Sequence, residues 1–336
     1  MSKRLKQLEN WLQTDCGFTH YKIEPASGDA SFRRYFRITL PDNSTRIAMD
    51  APPDKEDCEP FVRVARQFEK IGLNVPSILA ENHDQGFLLL KDLGSIQYLD
   101  KLDSSNVDQL YGDALSALQT LQLSCDPGEL PKYDKKLLMQ EMELFREWLL
   151  KKHLGIALSD EENHILDETF EMLAANALRQ PRVCVHRDFH SRNLMMPSRP
   201  DHGPAPGILD FQDAVDGPIT YDLVSLLKDC YIEWPREKVI DWVIKYRQQC
   251  VQAGLLKPEE EGEFLRWFDL MGVQRHLKAA GIFARLNIRD GKNGYLNDIP
   301  RTVGYIHFLG DVYPELEALA KLIHNYPSLS FVTGYS

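Results

Sequence analysis

The feature that most constrains this chain is a change of period near residue 92. Before that point, short apolar runs and alternating patterns sit between turn clusters; after it, apolar residues mostly recur every three to four positions. Strands are expected over 21–26, 31–40, 45–50, 75–80 and 87–90, punctuated by Ser27-Gly28-Asp29-Ala30, Pro41-Asp42-Asn43-Ser44 and His83-Asp84-Gln85-Gly86. One helix over 58–71 interrupts them, with Phe61, Val64, Ala65 and Phe68 in its repeat. Another precedes them, carrying Leu5, Leu8, Trp11 and Leu12 on one face.

Beyond residue 92, helices are expected over 107–123, 134–154 and 159–179. The last opens with a capping box from Ser159 to Glu162. Three short apolar strands at 183–185, 194–196 and 207–209 then break the helical run, which resumes at Tyr221. The order predicts an α+β chain of two lobes. Residues 1–92 form a small antiparallel β N-lobe, and 93–336 a mostly helical C-lobe with a β-insert at 182–213. A cleft between two such lobes is a common place for a ligand.

Composition narrows the partners. A chain of 336 residues can bury a full core without disulfide or metal staples. With 50 acidic and 39 basic residues the net charge is -11, which argues against a nucleic-acid partner. The six cysteines, Cys16, Cys58, Cys125, Cys184, Cys230 and Cys250, form no CxxC pair and have no histidine at metal-ligand spacing. They predict reduced thiols in a reducing compartment. The first helix lacks the apolar core of a signal peptide. The uncharged stretch 114–125 is too short and too polar to span a bilayer. A cytoplasmic protein is expected, with no membrane association and no obligatory protein partner.

The β-insert carries the chemistry. Val185-His186-Arg187-Asp188-Phe189-His190-Ser191-Arg192-Asn193 joins two apolar strands, and Asp210 follows Asn193 by 17 residues, directly after a third strand. Phosphoryl transfer needs one carboxylate to orient a hydroxyl and accept its proton, and other oxygens to hold Mg²⁺ against nucleotide phosphates. Magnesium takes one or two carboxylates with amide, phosphate and water oxygens at about 2.0–2.1 Å. Asp188 suits the first task; Asn193 and Asp210 suit the second. Structural loop caps are the competing reading for both aspartates.

The pattern resembles the H-R-D-x-x-x-x-N and downstream D-F of kinases. With Gly217-Pro218-Ile219-Thr220-Tyr221-Asp222-Leu223, it is similar to the aminoglycoside phosphotransferase and choline kinase superfamily, the small-molecule branch of the protein-kinase-like fold. That resemblance implies a bilobal kinase-like fold, ATP and Mg²⁺ as cofactors, and a structural role for Asp222 in anchoring the catalytic loop. A narrower resemblance rests on Ser27-Gly28-Asp29-Ala30-Ser31-Phe32-Arg33-Arg34-Tyr35-Phe36-Arg37, on Met49-Asp50-Ala51-Pro52-Pro53, on Leu88-Leu89-Leu90-Lys91-Asp92-Leu93-Gly94 and on Gln274-Arg275-His276-Leu277-Lys278. These stretches resemble the bacterial anomeric kinases of N-acetylmuramate and N-acetylglucosamine, which implies phosphorylation of a C1 hydroxyl during peptidoglycan recycling.

The N-lobe departs from the wider pattern. Met49 stands where a strand lysine is expected, so Arg33 and Arg34 become candidate phosphate-binding cations, with Ser31 and nearby amides as a further cradle. A solvated strand face is the alternative for both arginines. The resemblance sets adenine against the backbone of Lys91 and Leu93. Candidates for the acceptor site are Glu141, His190, Arg192, Trp234 and Arg275. Glu141 lies in an apolar stripe with Leu138, Phe145 and Trp148, so substrate contact or an internal ion pair are both open. Arg275 offers the same choice between a substrate carboxylate and an internal acid. An aminoglycoside or amino-alcohol kinase of the same fold, and a nucleotide-binding pseudokinase, remain as alternatives.

Overall fold

The computed structural model describes residues 3–28, 32–326 and 329. Contacts divide the chain into two compact units, Met1–Thr120 with Arg192–Asp213, and Leu121–Ser191 with Ala214–Ser336.

The first unit is built on a five-stranded antiparallel sheet. Its strands are β1 (Lys22–Gly28), β2 (Arg34–Thr39), β3 (Thr45–Asp50), β4 (Ile78–Asn82) and β5 (Phe87–Lys91), ordered β1-β2-β3-β5-β4. The β2–β3 turn closes on Asp42, whose Oδ1 accepts from the Ser44 backbone N–H (2.9 Å) and hydroxyl (2.7 Å). Helix α1 (Lys3–Thr14) lays Leu8, Trp11 and Leu12 on Phe36, Ile38, Ala48, Phe87 and Leu89. Gly86 makes the β4–β5 turn at φ +68°, and a Cβ there would sit 1.8 Å from the Ala51 carbonyl oxygen, so only glycine fits.

Helix α2 (Glu59–Lys70) packs Phe61 and Phe68 on Phe211, with ring centroids 4.9 and 5.9 Å apart. The short hairpin β7 (Leu194–Met195) and β8 (Gly207–Ile208) is stitched to the N-terminal segment. Tyr98 N–H donates to the Leu194 carbonyl, Met196 N–H to Ile96 and Ile208 N–H to Asn74, each at 2.8 Å. These bonds put residues 192–213 in the first unit, although composition groups them with the helical part of the chain.

The second unit is organised by α8 (Phe264–Asp290), which packs on α4 (Lys135–Leu144), α5 (Asp160–Leu178), α6 (Tyr221–Leu227) and α9 (Ile299–Gly310). The helix expected over 134–154 is α-helical only to Leu144; Phe145–His153 is a π-helical stretch. A 3.6 period does not distinguish the two over so few turns, because Phe145, Leu149 and Leu150 are buried either way. At this junction α8 runs backbone against backbone: a Cβ on Gly281 would lie 2.3 Å from the Leu144 carbonyl carbon. The Ser159–Glu162 capping box is present in both directions, at 2.8 and 3.2 Å.

Strand β6 (Arg182–Val185) pairs with β9 (Val215–Pro218), whose Asp-Gly-Pro composition carries no strand signal. The expectation of reduced thiols is corrected at one pair. Cys125 and Cys184 form a disulfide with Cα atoms 6.0 Å apart. They are 59 residues apart in the chain, so spacing rules could not reveal that the end of α3 (Val107–Ser124) meets β6. Cys16, Cys58, Cys230 and Cys250 are free thiols. Among the described residues no helix is long and apolar enough to cross a membrane.

Candidate active site

Strand β6 delivers the loop that begins at His186. Arg187 holds φ +77°, a left-handed conformation that costs a non-glycine residue about 1–2 kcal/mol. The buried carboxylate of Asp222, at the start of α6, holds it there. It accepts the backbone N–H groups of His186 (2.6 Å) and Arg187 (3.0 Å). Burial pushes the Asp222 pKa up to about 7 against the pull of those two donors. The far end of the loop is tied by Ser191, whose N–H (2.9 Å) and hydroxyl (2.6 Å) both donate to Asp229. The anchoring role expected of Asp222 thus has a physical form: it fixes the backbone on both sides of the bond before Arg187.

Asp188 sits among cations. Burial alone would raise its pKa, but Lys278, His190, Arg275 and Arg187 together hold it below the ordinary carboxylate value. It is therefore an ionised carboxylate at neutral pH. Its own N–H donates to His186 Nδ1 at 3.2 Å, which fits the ring as a structural neighbour.

Behind this loop lies Glu141, from α4. It accepts from Arg187 and from the Tyr133 hydroxyl in short hydrogen bonds, pairs with Lys278 Nζ at 3.2 Å, and receives Gln274 Nε2 at 3.4 Å. Burial works against its charge, yet Lys278 and Arg187 keep its pKa low. The internal ion pair open to Glu141 from sequence is thus present. Lys278 also donates to the Tyr221 hydroxyl at 2.9 Å. His190 is buried edge-on to Tyr231 (5.3 Å between centroids), which leads to Phe283 and Tyr295 in a run of aromatic faces. Trp234 is buried, edge-on to Trp242 at 6.2 Å. Arg275 is buried in α8, with Nη1 donating to Cys230 Sγ at 3.6 Å.

The first unit carries the other residues. Asn193 precedes β7, and its carbonyl accepts Leu209 N–H at 2.9 Å, which brings it beside Asp210 at the end of β8. Asn193 Nδ2 donates to Asp210 Oδ2 at 3.4 Å, and Gln212 Nε2 to Asp210 Oδ1 at 2.8 Å. Asp210 is another non-glycine residue in the left-handed region, at φ +62°. Gln212 Oε1 is buried without a hydrogen-bond partner. One carboxylate, one adjacent amide and an unsatisfied buried oxygen form a hard, oxygen-rich donor set that fits Mg²⁺.

The two candidate phosphate cations differ. Arg34 is tied to the fully buried Asp50, which also holds Arg4. Arg33 pairs with Glu56 at 3.2 Å, and Glu56 in turn accepts Phe32 N–H at 3.1 Å. Burial opposes the charge on Arg33, but Tyr35, Glu56 and Asp210 outweigh it. Met49 is fully buried. Lys91 Nζ donates to Asn74 at 3.3 Å, and its backbone N–H to Ser77 at 3.0 Å; Leu93 is buried. Arg192 is half-buried. Ser31 lies outside the described residues.

Sequence reasoning missed Glu56, Lys278 and Tyr133 as members of these clusters. The visible signal was slight: Lys278 follows Gln274 by one helical turn inside a helix that is otherwise apolar on that side.

A family model for the phosphotransferase enzyme family matches residues 22–255, and the chain belongs to that family. Among curated relatives it is 47% identical over 306 residues to an N-acetylmuramate/N-acetylglucosamine kinase of Pseudomonas aeruginosa, covering 91% of this chain and 89% of the relative. It is 43% identical over 327 residues to a protein of the same name from Neisseria meningitidis, covering 96% of each. Among solved structures it resembles a Plasmodium vivax ethanolamine kinase (TM-score 0.63, 10% identity, 94% and 89% covered). An ADP-bound aminoglycoside phosphotransferase is also similar (TM-score 0.59, 18% identity, 94% and 98% covered). These last two likenesses speak to the protein-kinase-like fold alone.

Proposed function

We propose that the protein is an ATP-dependent kinase that phosphorylates the anomeric C1 hydroxyl of N-acetylmuramate and N-acetylglucosamine. The products are sugar 1-phosphates for cell-wall recycling in the cytoplasm. The observation that carries this reading is the ionised Asp188 in a cage of four cations, on a loop whose backbone Asp222 anchors. Relatives bearing the name of such a kinase over nearly the whole chain support the acceptor.

Asp188 orients the acceptor hydroxyl and takes its proton as the sugar oxygen forms its bond to the γ-phosphorus. The bond from that phosphorus to the bridging oxygen breaks, ADP leaves, and the proton passes from Asp188 to solvent. Asn193 and Asp210 would hold magnesium, which would offset the charge of the triphosphate. Arg33, braced by Glu56, takes the phosphate-binding task of the absent strand lysine, since Arg34 is committed to Asp50. Adenine lies against Leu93, and His190 and its aromatic neighbours flank the sugar.

The cationic surroundings of Asp188 weigh against an aminoglycoside or amino-alcohol acceptor, whose ammonium groups would be repelled there. ATP consumption measured with N-acetylmuramate, N-acetylglucosamine, kanamycin and choline, with phosphorus NMR of the product, tests the reading. Sugar-dependent turnover with a 1-phosphate product is expected. A 6-phosphate product would remove the anomeric assignment, and ATP turnover indifferent to added sugar would remove the function.

A further inference from the structure

Arg275 is the one member of the Asp188 cage whose charge is left without an acid. Its side chain lies in the interior of α8 with 6% of its surface exposed. Nη1 reaches only the Cys230 sulfur, at 3.6 Å, a weak acceptor. Nε is buried and has no hydrogen-bond partner. Among the described residues it forms no ion pair, whereas Arg187 and Lys278 both close on Glu141 and Arg236 closes on Asp269. A guanidinium does not shed its proton to escape burial. A buried charge without a partner is costly, so a structure that keeps one is completed by something from outside.

The missing partner is an anion, and its class follows from where Arg275 sits. Asp188, Tyr221, Cys230 and Asp229 are the groups that act on its charge. All belong to the unit that carries the base, while the candidate nucleotide and metal residues Arg33, Lys91, Asn193 and Asp210 belong to the other. Arg275 therefore keeps company with the acceptor rather than the nucleotide. Of the two proposed acceptors, N-acetylmuramate carries a lactyl ether carboxylate and N-acetylglucosamine does not. A planar guanidinium with Nε and a terminal nitrogen open matches a carboxylate in paired hydrogen bonds.

We propose that Arg275 is a specificity-determining residue that receives the carboxylate of an acidic amino sugar and so sets the preference between the two acceptors. The inference rests on the sugar-kinase reading above and adds the residue that discriminates.

Steady-state kinetics of the full chain with ATP test it on three acceptors: N-acetylmuramate, its lactyl amide and N-acetylglucosamine. In the unaltered protein the acid is expected to exceed its amide in kcat/KM by about 100-fold, the loss typical when one partner of a buried charge pair is removed. Arg275→Gln should lower the ratio of kcat/KM for N-acetylmuramate over N-acetylglucosamine by about the same factor, chiefly through KM, and Arg275→Lys should restore part of it. Thermal melting and ADP binding of the variants report whether they fold. If Arg275→Gln does not fold, the acid-against-amide comparison in the unaltered protein decides alone. Equal handling of acid and amide, or an unchanged ratio in a folded Arg275→Gln, overturns the inference while leaving the kinase standing. Silence of the unaltered protein on all three acceptors would remove the functional reading, and this inference with it.

Discussion

Helix α8 carries two buried charge clusters, and they are finished differently. Towards its start, Asp269 is fully buried and closed. It accepts from Lys228 (2.6 Å), Arg236 (2.9 Å) and the Tyr313 hydroxyl (2.8 Å). About two turns on, Gln274, Arg275 and Lys278 take part in the group around Glu141 and Asp188. There Glu141 is closed by Arg187, Lys278 and Tyr133, but Arg275 has no acid to meet. The first cluster contains every charge it needs, and the second carries one cation too many. A closed cluster serves the fold; an open one is incomplete until a ligand arrives. The same helix therefore shows which buried charges are structural and which face chemistry.

The contrast can be broken from either side. Asp269→Ala strands the fully buried Lys228 and should cost about 3–5 kcal/mol in urea unfolding, while KM for ATP and sugar in the remaining folded protein stays near its original value. A large change in KM with little loss of stability would show that the Asp269 cluster is not the structural one. Glu141→Gln should cost somewhat less, about 3 kcal/mol, because an amide still accepts from Tyr133 and Arg187. Unlike Asp269→Ala it should also lower kcat, since Arg187 and Lys278 brace the surroundings of Asp188. Unfolding and single-turnover measurements on both variants separate the two effects.

A smaller, pH-borne effect sharpens the comparison. Burial would raise the Asp269 pKa, but Lys228 and Arg236 hold it at about 2, below the ordinary 3.8. The unfolded chain thus takes up this proton at higher pH than the folded one. The stabilisation is complete above about pH 5 and fades as pH falls from 4 towards 2, by about 2 kcal/mol in all. Stability measured from pH 6 down to pH 2.5 should show this limb, and Asp269→Asn should flatten it. An identical acid limb in that variant would assign the effect to other carboxylates.

The two ends of this account were unequally legible in the sequence. The loop from His186 to Asn193 and the aspartate after the next strand could be read directly, because strand, polar loop and strand follow one another within 30 residues. The antiparallel sheet was legible for the same reason, since each hairpin is local and carries its turn residues. What could not be read depends on partners far apart in the chain. Glu141 meets Lys278 across more than 130 residues, Cys125 meets Cys184, and Arg182–Val185 pairs with a strand of Asp-Gly-Pro composition. The π-helical stretch was hidden because burial of Phe145, Leu149 and Leu150 satisfies either helical period. Between Arg33 and Arg34 the sequence left both open, and Asp50 separates them by engaging Arg34.

The central claim is that the ionised carboxylate on this anchored loop takes the acceptor proton during phosphoryl transfer. Asp188→Asn keeps the size and most hydrogen bonds of the side chain while removing its basicity. Rapid-quench turnover with ATP and N-acetylmuramate, alongside direct binding of both ligands, measures the difference. The account predicts binding within a few fold of the unaltered protein and turnover lower by about 10²–10⁴-fold. Turnover equal to that of the unaltered protein would contradict it.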